Sequence, residues 1–409
     1  MQKCRICYSN LTQELINLGK SPIANSFVPI NKKDHAEKFL PLVVFICNKC
    51  FLAQIQEYVT PESVFNKDYA YFSSTSKSWL THCEKYSINV MKKYNLNSKS
   101  HVAEIASNDG YLLQYFLKNN IKVTGVEPAT NSAAVAIKKN IYTENIFFNE
   151  ENSKVILKKR GPADLIIANN VLAHVPDIHD FIAGFKILLA EEGVITFEFP
   201  HLLKLIKYTQ FDTIYHEHYS YLSINPLILL FTKHNLKIFD IEEISTHGGS
   251  LRIHVSHDKA KFKIKKSVKK VIEDEYNFGL TKEKTYIYFR KTVEKIKKET
   301  KDFFEKAKND KKYIVGYGAP AKGNTFLNYC EINQNDIKFT VDNNIIKQNT
   351  LLPGTKIPVY ESEKLEKIQA DYIFILPWNL KEEIIKQIKS KLNYKVKFIT
   401  AIPKLKIFS

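Results

Sequence analysis

No apolar run in this 409-residue chain reaches the roughly 18 residues needed to span a bilayer. The opening residues, MQKCRICYSN, lack the apolar stretch of a secretory signal, so cytoplasmic localisation is expected. Tandem repeats and low-complexity segments are missing. So are compact arginine-rich blocks interleaved with aromatics, which a nucleic-acid surface would carry. The net charge of +17 and the pI near 9.3 come instead from lysines spread along the chain. Solvated lysine-rich faces account for that charge, and it also suits a small phosphate-bearing substrate. With 44% hydrophobic residues the chain reads as globular, and its length calls for two or three domains.

Cysteine is scarce too, at six residues, and a reducing compartment argues against disulfides. Four of the six form two C-x-x-C pairs, Cys4 with Cys7 and Cys47 with Cys50. Two such pairs let four thiolates converge on one ion, the arrangement of structural zinc. With sulfur at every position, the ion has none open for chemistry.

Four segments follow one another. Residues 1–75 hold the cysteine pairs and short strands, and end in DYAYFSSTSKSW, where Ser and Thr precede a helix-like run and can cap it. Residues 76–255 alternate short apolar runs with helix-period segments, predicting a parallel sheet with helices on its faces. Residues 256–310 are lysine-rich with helical periodicity and read as a helical connection. Residues 311–409 begin a second alternation with KKYIVGYG, DIKFTVD, ADYIFILPW and VKFITAIP. The expected class is α/β: a zinc-binding module, a Rossmann-like domain, and a second Rossmann-like domain at the C-terminus.

In HVAEIASNDGYLLQYF an apolar strand runs through the loop SNDG into a helix, presenting backbone N–H groups to a ligand. Glycine is sparse here: Glu104 to Gly110 does not read G-x-G-x-x-G. A pyrophosphate-binding loop is therefore disfavoured relative to a site for S-adenosylmethionine (SAM), which has no phosphate to cradle. The next strand, KVTGVEPAT, ends at Glu127, placed to accept from ribose hydroxyls, and the third, ADLIIANNVLAHVPD, ends in polar residues at the carboxyl edge. The expected cofactor contacts are Glu104, Ala106, Ser107, Asn108, Gly110, Glu127, Pro128, Asn169 and Asn170.

The later loop GYGAPA, residues 316–321, does satisfy G-x-G-x-x-A, with Asp342 ending the next strand. Taken alone it supports an NAD-dependent oxidoreductase. Pro320 in the turn and Lys322 directly after it suit phosphate binding by backbone N–H groups plus one cation. HGGSLR, before the apolar LRIHV, reads as a hairpin turn. In FDTIYHEHYSYLS, residues 211–223, His216 and His218 stand two apart, which is not HExxH, and a metal site is disfavoured.

The ordered set C4-x-x-C7, C47-x-x-C50, DYAYFSSTS, EIASNDGYLL, GVEPA, NNVLAHVPD, EFPHLL, FDTIYHEHYSYLS, HGGSLR and GYGAPAKGNTFLNYC resembles the nucleotide-sugar C-methyltransferases, over nearly the whole chain. The resemblance implies SAM-dependent methyl transfer to carbon on a dTDP- or GDP-linked keto-deoxysugar. It also implies a C-terminal domain that holds the sugar nucleotide through Gly316, Gly318, Lys322 and Asn324. Tyr215, Glu217 and His218 match the family's active-site cluster, completed by His174 and Tyr69.

That chemistry is demanding. Carbon beside a ketone accepts a methyl group only after losing a proton, and a histidine titrates in the right range to take it. His218 is the expected base, with Glu217 as the alternative. No nucleic acid or membrane partner is expected, and the assembly is expected to be a monomer or a small homo-oligomer. Rival readings are the NAD-dependent oxidoreductase and a zinc-containing RNA methyltransferase, though NNVLAH lacks the N-P-P-Y-like or Pro-Cys motif the latter would show.

Overall fold

The computed structural model describes residues 2–65 and 72–409. Two compact units emerge, and each draws on three separate stretches of chain. The first comprises Met1–Gln13, Ile46–His201 and Tyr219–Thr281; the second comprises Glu14–Phe45, Leu202–His218 and Lys282–Ser409. Among the described residues no helix is long and apolar enough to cross a membrane.

The first unit is built on a seven-stranded sheet. Its strands are β1 (His101–Ile105), β2 (Lys122–Val126), β3 (Thr143–Glu144), β4 (Ala163–Asn169), β5 (Leu189–Pro200), β6 (Leu236–Ile244) and β7 (Ser250–His257). They lie in the order β6-β7-β5-β4-β1-β2-β3. Strands β3, β2, β1, β4 and β5 are parallel, and β7 and β6 close the edge as an antiparallel hairpin. Every side chain of β1 is buried, as expected of an inner parallel strand covered on both faces. Val102, Val123, Leu165, Ile167 and Val194 share one core with Phe116.

Helix α1 (Lys77–Tyr94) packs on this sheet through Cys83, Tyr86 and Val90, spaced to share one face. Ser76 Oγ caps it by accepting from Trp79 N at 3.3 Å, and Asn95 ends it in the left-handed conformation. Serine thus caps the helix where the SSTSKSW composition predicts it.

The second unit has its own sheet. Its labelled strands are β8 (Ile314–Tyr317), β9 (Thr340–Val341), β10 (Thr350–Leu351), β11 (Pro358–Tyr360), β12 (Tyr372–Ile375), β13 (Lys397–Thr400) and β14 (Lys406–Phe408). The order is β14-β13-β12-β8-β9-β11-β10, and Val28–Pro29 adds an eighth strand beside β10. The chain leaves β8 for β9 on one side and later returns to β12 on the other. The loop after β8 therefore stands at the point where the winding reverses, the usual ligand position in open α/β sheets.

The 27-residue α2 (Glu283–Asn309) belongs to the second unit and buries Tyr286, Phe289, Val293, Ile296, Thr300, Phe304 and Ala307 at intervals of three or four. The preceding helix, Lys266–Phe278, belongs to the first unit. The lysine-rich helical region therefore divides between the units instead of forming a body of its own.

The loop after β1 sets a backbone constraint. Ala106, Asn108 and Gly110 have φ of 57°, 48° and 74°, three alternate left-handed residues. Only the last is glycine, and a Cβ there would stand 2.3 Å from Ile141 Cδ1. Gly110→Ala should therefore cost about 1–3 kcal/mol in denaturant unfolding, from the left-handed backbone plus the displaced Ile141. Gly19→Ala, with φ of +76° but open space around it, should cost only about 1 kcal/mol. Equal losses at the two sites would show that Ile141 moves aside freely.

Candidate active site

In the first unit the cofactor-site candidates gather at the carboxyl ends of β1, β2 and β4. Glu127 organises the edge: Oε2 accepts from Asn108 N and Oε1 from Ala129 N, both at 2.8 Å. Burial pushes its carboxyl up to about 7, against the pull of the Ala129 and Asn108 amides. Each oxygen keeps a second lone pair for a ligand hydroxyl. Glu104, wholly buried on β1, is pushed well above the usual carboxylate range by burial.

Asn108 and Asp109 turn their side chains to a neighbouring segment. Asn108 Oδ1 accepts from Ser73 N at 2.9 Å, and Asp109 Oδ2 accepts from Ser74 N at 3.3 Å and from its hydroxyl. These serines belong to FSSTS, so that motif braces the loop. Ser107 N donates to Val126 O at 3.2 Å, and Asn145 Nδ2 donates to Pro128 O at 3.0 Å.

At the end of β4, Asn169 holds a buried Oδ1 with no donor among the described residues. Asn170, left-handed at φ 55°, donates its N–H to Glu198 O at 2.6 Å and its Nδ2–H to His247 Nε2 at 3.4 Å. His247 lies in HGGSLR, which ties that turn to this edge. An orphaned acceptor, a loop held in left-handed turns and a braced carboxylate fit a nucleoside with ribose hydroxyls and no phosphate, as in SAM.

Sequence reasoning missed one buried network here. Glu198 on β5 accepts from Arg252 at 2.9 Å, His82 Nε2 at 3.0 Å and Thr246 Oγ1 at 2.9 Å. Burial raises its carboxyl, but His82 and Arg252 together outweigh that and hold it below the ordinary range. Its partners lie up to 116 residues away in sequence, and no local motif marks them.

The run FDTIYHEHYSYLS divides between the units, with His218 in the second and Tyr219 in the first. Its two histidines differ. His216 is buried, its Nε2–H donates to Pro41 O at 3.1 Å, and burial lowers its pKa so that it stays neutral. His218 Nδ1–H donates to Thr213 O at 2.8 Å. A carbonyl can only accept, so the lone pair falls on Nε2, which accepts from the Tyr215 hydroxyl at 2.7 Å. The two rings lie 3.9 Å apart. The Thr213 carbonyl thus orients the imidazole. Glu217 is 2% exposed, its Oε1 accepts from Asn25 Nδ2 at 3.1 Å, and burial raises its pKa.

His174 belongs to the first unit, in a short turn after β4, with its ring edge-on to Phe65 at 5.7 Å. Tyr69 lies outside the described residues.

The glycines of GYGAPA are both packed against their own chain. A Cβ on Gly316 would stand 2.7 Å from Thr340 Oγ1, and one on Gly318 2.6 Å from Pro377 Cδ. Asp342 turns inward: Oδ2 accepts from Ala319 N at 2.7 Å and Oδ1 from Asn344 N at 2.8 Å. Lys322 opens α3 (Ala321–Cys330), donates to Asn379 Oδ1 at 2.8 Å and sits 5.0 Å from the centre of the Trp378 ring. Asn324 Nδ2 donates to Ala24 O at 2.6 Å.

The metal centre is compact. Cys4 and Cys50 Sγ are 3.4 Å apart, Cys7 and Cys47 likewise, and one Sγ from each of the four lies within 4.8 Å of the others. The two knuckles match: Tyr8 N donates to Cys4 O and Phe51 N to Cys47 O, both at 2.9 Å, with Tyr8 and Phe51 each at φ 61°. The hydrogen bond from Cys50 lowers the Cys4 thiol's pKa, against burial. Four converging sulfurs with no disulfide fit one zinc ion. Metal analysis should find one zinc per folded chain, and Cys47→Ser should lose it together with the thermal stability of the first unit. Reduced, folded protein without zinc would overturn this assignment.

Comparisons with known proteins give the family of each part of the chain. Residues 4–65 match a zinc binding domain family, residues 85–241 a methyltransferase domain family, and residues 245–403 the C-methyltransferase C-terminal domain family. C-methyltransferase NovU of Streptomyces niveus is 31% identical over 409 residues, covering 100% of this chain and 97% of that protein. Two solved structures cover less. A SAM-dependent methyltransferase from Anabaena variabilis is 14% identical, over 42% of this chain and 84% of its own, with a TM-score of 0.36. Magnesium protoporphyrin IX methyltransferase of Synechocystis, with bound SAM, is 13% identical, over 43% and 78%, with a TM-score of 0.33. The assignment rests on the full-length relative and the three domain matches: the chain belongs to the SAM-dependent C-methyltransferases, joining a zinc-binding domain to a methyltransferase domain and a C-methyltransferase C-terminal domain.

Proposed function

We propose that the chain methylates the carbon beside the ketone of a dTDP- or GDP-linked keto-deoxysugar, through an enolate, on the way to a branched-chain sugar. The observation that carries this reading is the Tyr215–His218 pair, locked into one tautomer by the Thr213 carbonyl. When bound, SAM supplies an electrophilic methyl group on a sulfonium.

The chain's own residues make the nucleophile. Tyr215 oxygen takes the carbon-bound proton as its own hydroxyl hydrogen passes to His218 Nε2. His218 is thus the final acceptor and Tyr215 the group in contact with substrate. The Thr213 carbonyl stabilises the imidazolium that results, because Nδ1–H keeps donating to it. Glu217, buried and joined to Asn25, positions the run. His174 and Tyr69 are assigned to the same chemistry by resemblance. Glu127 and Asn169 hold the cofactor. Lys322, with its pKa lowered by burial yet supported by Asp212, supplies the cation for the phosphates, with Gly316, Gly318 and Asn324 completing that site.

Deuterium exchange at the carbon beside the ketone, measured with demethylated cofactor bound, separates proton removal from methyl transfer. His218→Ala and Tyr215→Phe should each lose exchange and methylation by about two to four orders of magnitude while binding both ligands. Glu217→Gln should lose less. If Tyr215→Phe exchanged at the wild-type rate, His218 would take the proton directly; if His218→Ala did, the base would lie elsewhere.

The cofactor prediction follows from Glu127. A carboxyl titrating near 7 accepts ribose hydroxyls best when ionised, so SAM affinity should rise with pH between 6 and 8. Glu127→Ala should bind SAM more weakly and flatten that dependence, with sugar-nucleotide affinity unchanged. A pH profile identical to the wild type's would remove Glu127 from the cofactor site. Lys322→Ala should raise the sugar-nucleotide concentration needed for half-maximal rate and leave SAM affinity as it is. Tight NAD binding to the full chain would support the oxidoreductase reading instead.

A further inference from the structure

Among the described residues, two of the buried oxygens of the second unit that lack a hydrogen-bond partner stand on adjoining elements, Asp212 Oδ1 and Asn324 Oδ1. Asp212 is 1% exposed: its Oδ2 accepts from Trp378 Nε1 at 2.6 Å, while Oδ1 has no partner among the described residues. Asn324, also 1% exposed, gives Nδ2–H to the Ala24 carbonyl at 2.6 Å, and its Oδ1 is likewise unpartnered. Because the Ala24 carbonyl can only accept, it fixes which end of the Asn324 amide is oxygen.

The two residues stand on adjoining elements. The turn Phe211–Thr213 packs against α3, and Thr325 Oγ1 donates to Ile214 O at 2.9 Å between them. A buried acceptor left unpaired costs about 1–3 kcal/mol, and two of them beside one helix make a debt that a ligand can settle.

The missing partner must bring donors. A phosphate carries acceptors only, and the Asp212 carboxylate would repel it. The cation for phosphates is Lys322, which Asn379 holds over the Trp378 ring. Hydroxyl groups are what both acceptors lack.

We propose that Asp212 and Asn324 are specificity-determining residues, each accepting a hydrogen bond from a hydroxyl of the sugar, so that the enzyme selects a keto-deoxysugar that retains free hydroxyls. This inference rests on the nucleotide-sugar reading above and deepens it. Trp378, fixed by its bond to Asp212, forms the wall beside the sugar, and the nucleotide reaches Lys322 with its phosphates. Lys322 and Asn324 are contacts that the GYGAPAKGN resemblance already implies, whereas the role of Asp212 and Trp378 follows from no motif, because that pair joins residues 166 apart.

The test uses the full chain and four probes: the dTDP- and GDP-linked 4-keto-6-deoxyhexoses, and dTDP and GDP alone. By calorimetry, Asp212→Asn should weaken binding of the preferred sugar nucleotide about 10- to 100-fold more than it weakens binding of the free nucleotide. Loss on both ligands alike, or on neither, overturns the inference and leaves the nucleotide-sugar reading standing. Wild-type protein that binds none of the four overturns that reading and this inference with it.

A second measurement needs no change at Asp212. Trp79 and Trp378 are the two tryptophans of the chain, so Trp79→Phe leaves Trp378 as the single indole. Its emission should shift further with the sugar nucleotide than with the nucleotide alone, which reaches only the Lys322 cation over the ring. An equal response to both would overturn the assignment of Trp378 and Asp212 to the sugar.

Discussion

One buried carboxylate ties together the edge on which the methyltransferase unit works. Glu127 accepts the amide of Asn108 in the loop after β1 and the amide of Ala129 in the turn after β2, so two neighbouring strand ends are held by one side chain. The left-handed course of residues 106–110 depends on it, and Ser73 and Ser74 in turn bond to the loop that results. Burial makes this arrangement expensive for an ionised group, which is why its titration rises toward neutrality. Two opposed effects therefore meet at this residue: the amide hydrogen bonds favour the charged form, and burial favours the neutral one.

The legibility of the chain follows the range of its interactions. The zinc site was readable because each pair of ligands lies three residues apart, and a knuckle is a local structure. The strand, loop and helix around SNDG were readable from apolar runs and turn residues. The loop's three left-handed positions were not, because Ala106 and Asn108 occupy places where glycine is the usual sign. The interleaving of the units was hidden for a different reason. Residues 14–45 and 202–218 carry no compositional mark of membership in the C-terminal half, and only long-range pairing puts them there. The Glu198 network and the Asp212–Trp378 bond share that character.

Two histidines two residues apart illustrate how little composition says about role. His216 and His218 have the same neighbours in sequence, but one is sealed against the Pro41 carbonyl and the other carries a lone pair directed at a phenol. What separates them is the carbonyl each one meets. Thr213 O meets Nδ1 of His218 and leaves Nε2 to accept from the Tyr215 hydroxyl, whereas Pro41 O meets Nε2 of His216 in a buried setting where charge is disfavoured. The histidines, tyrosine and glutamate were visible as a set, but the tautomer of His218 comes from backbone geometry.

The way the second unit is assembled bears on its birth at the ribosome. Val28–Pro29 emerge early in synthesis, but the strand they pair with, β10 at Thr350–Leu351, follows more than 300 residues later. Val28–Pro29 must therefore wait for that pairing until nearly the whole chain has been made. Such distant pairings slow folding and leave nascent chains open to wrong partners. Fragments ending before residue 350 lack the strand with which Val28–Pro29 pair.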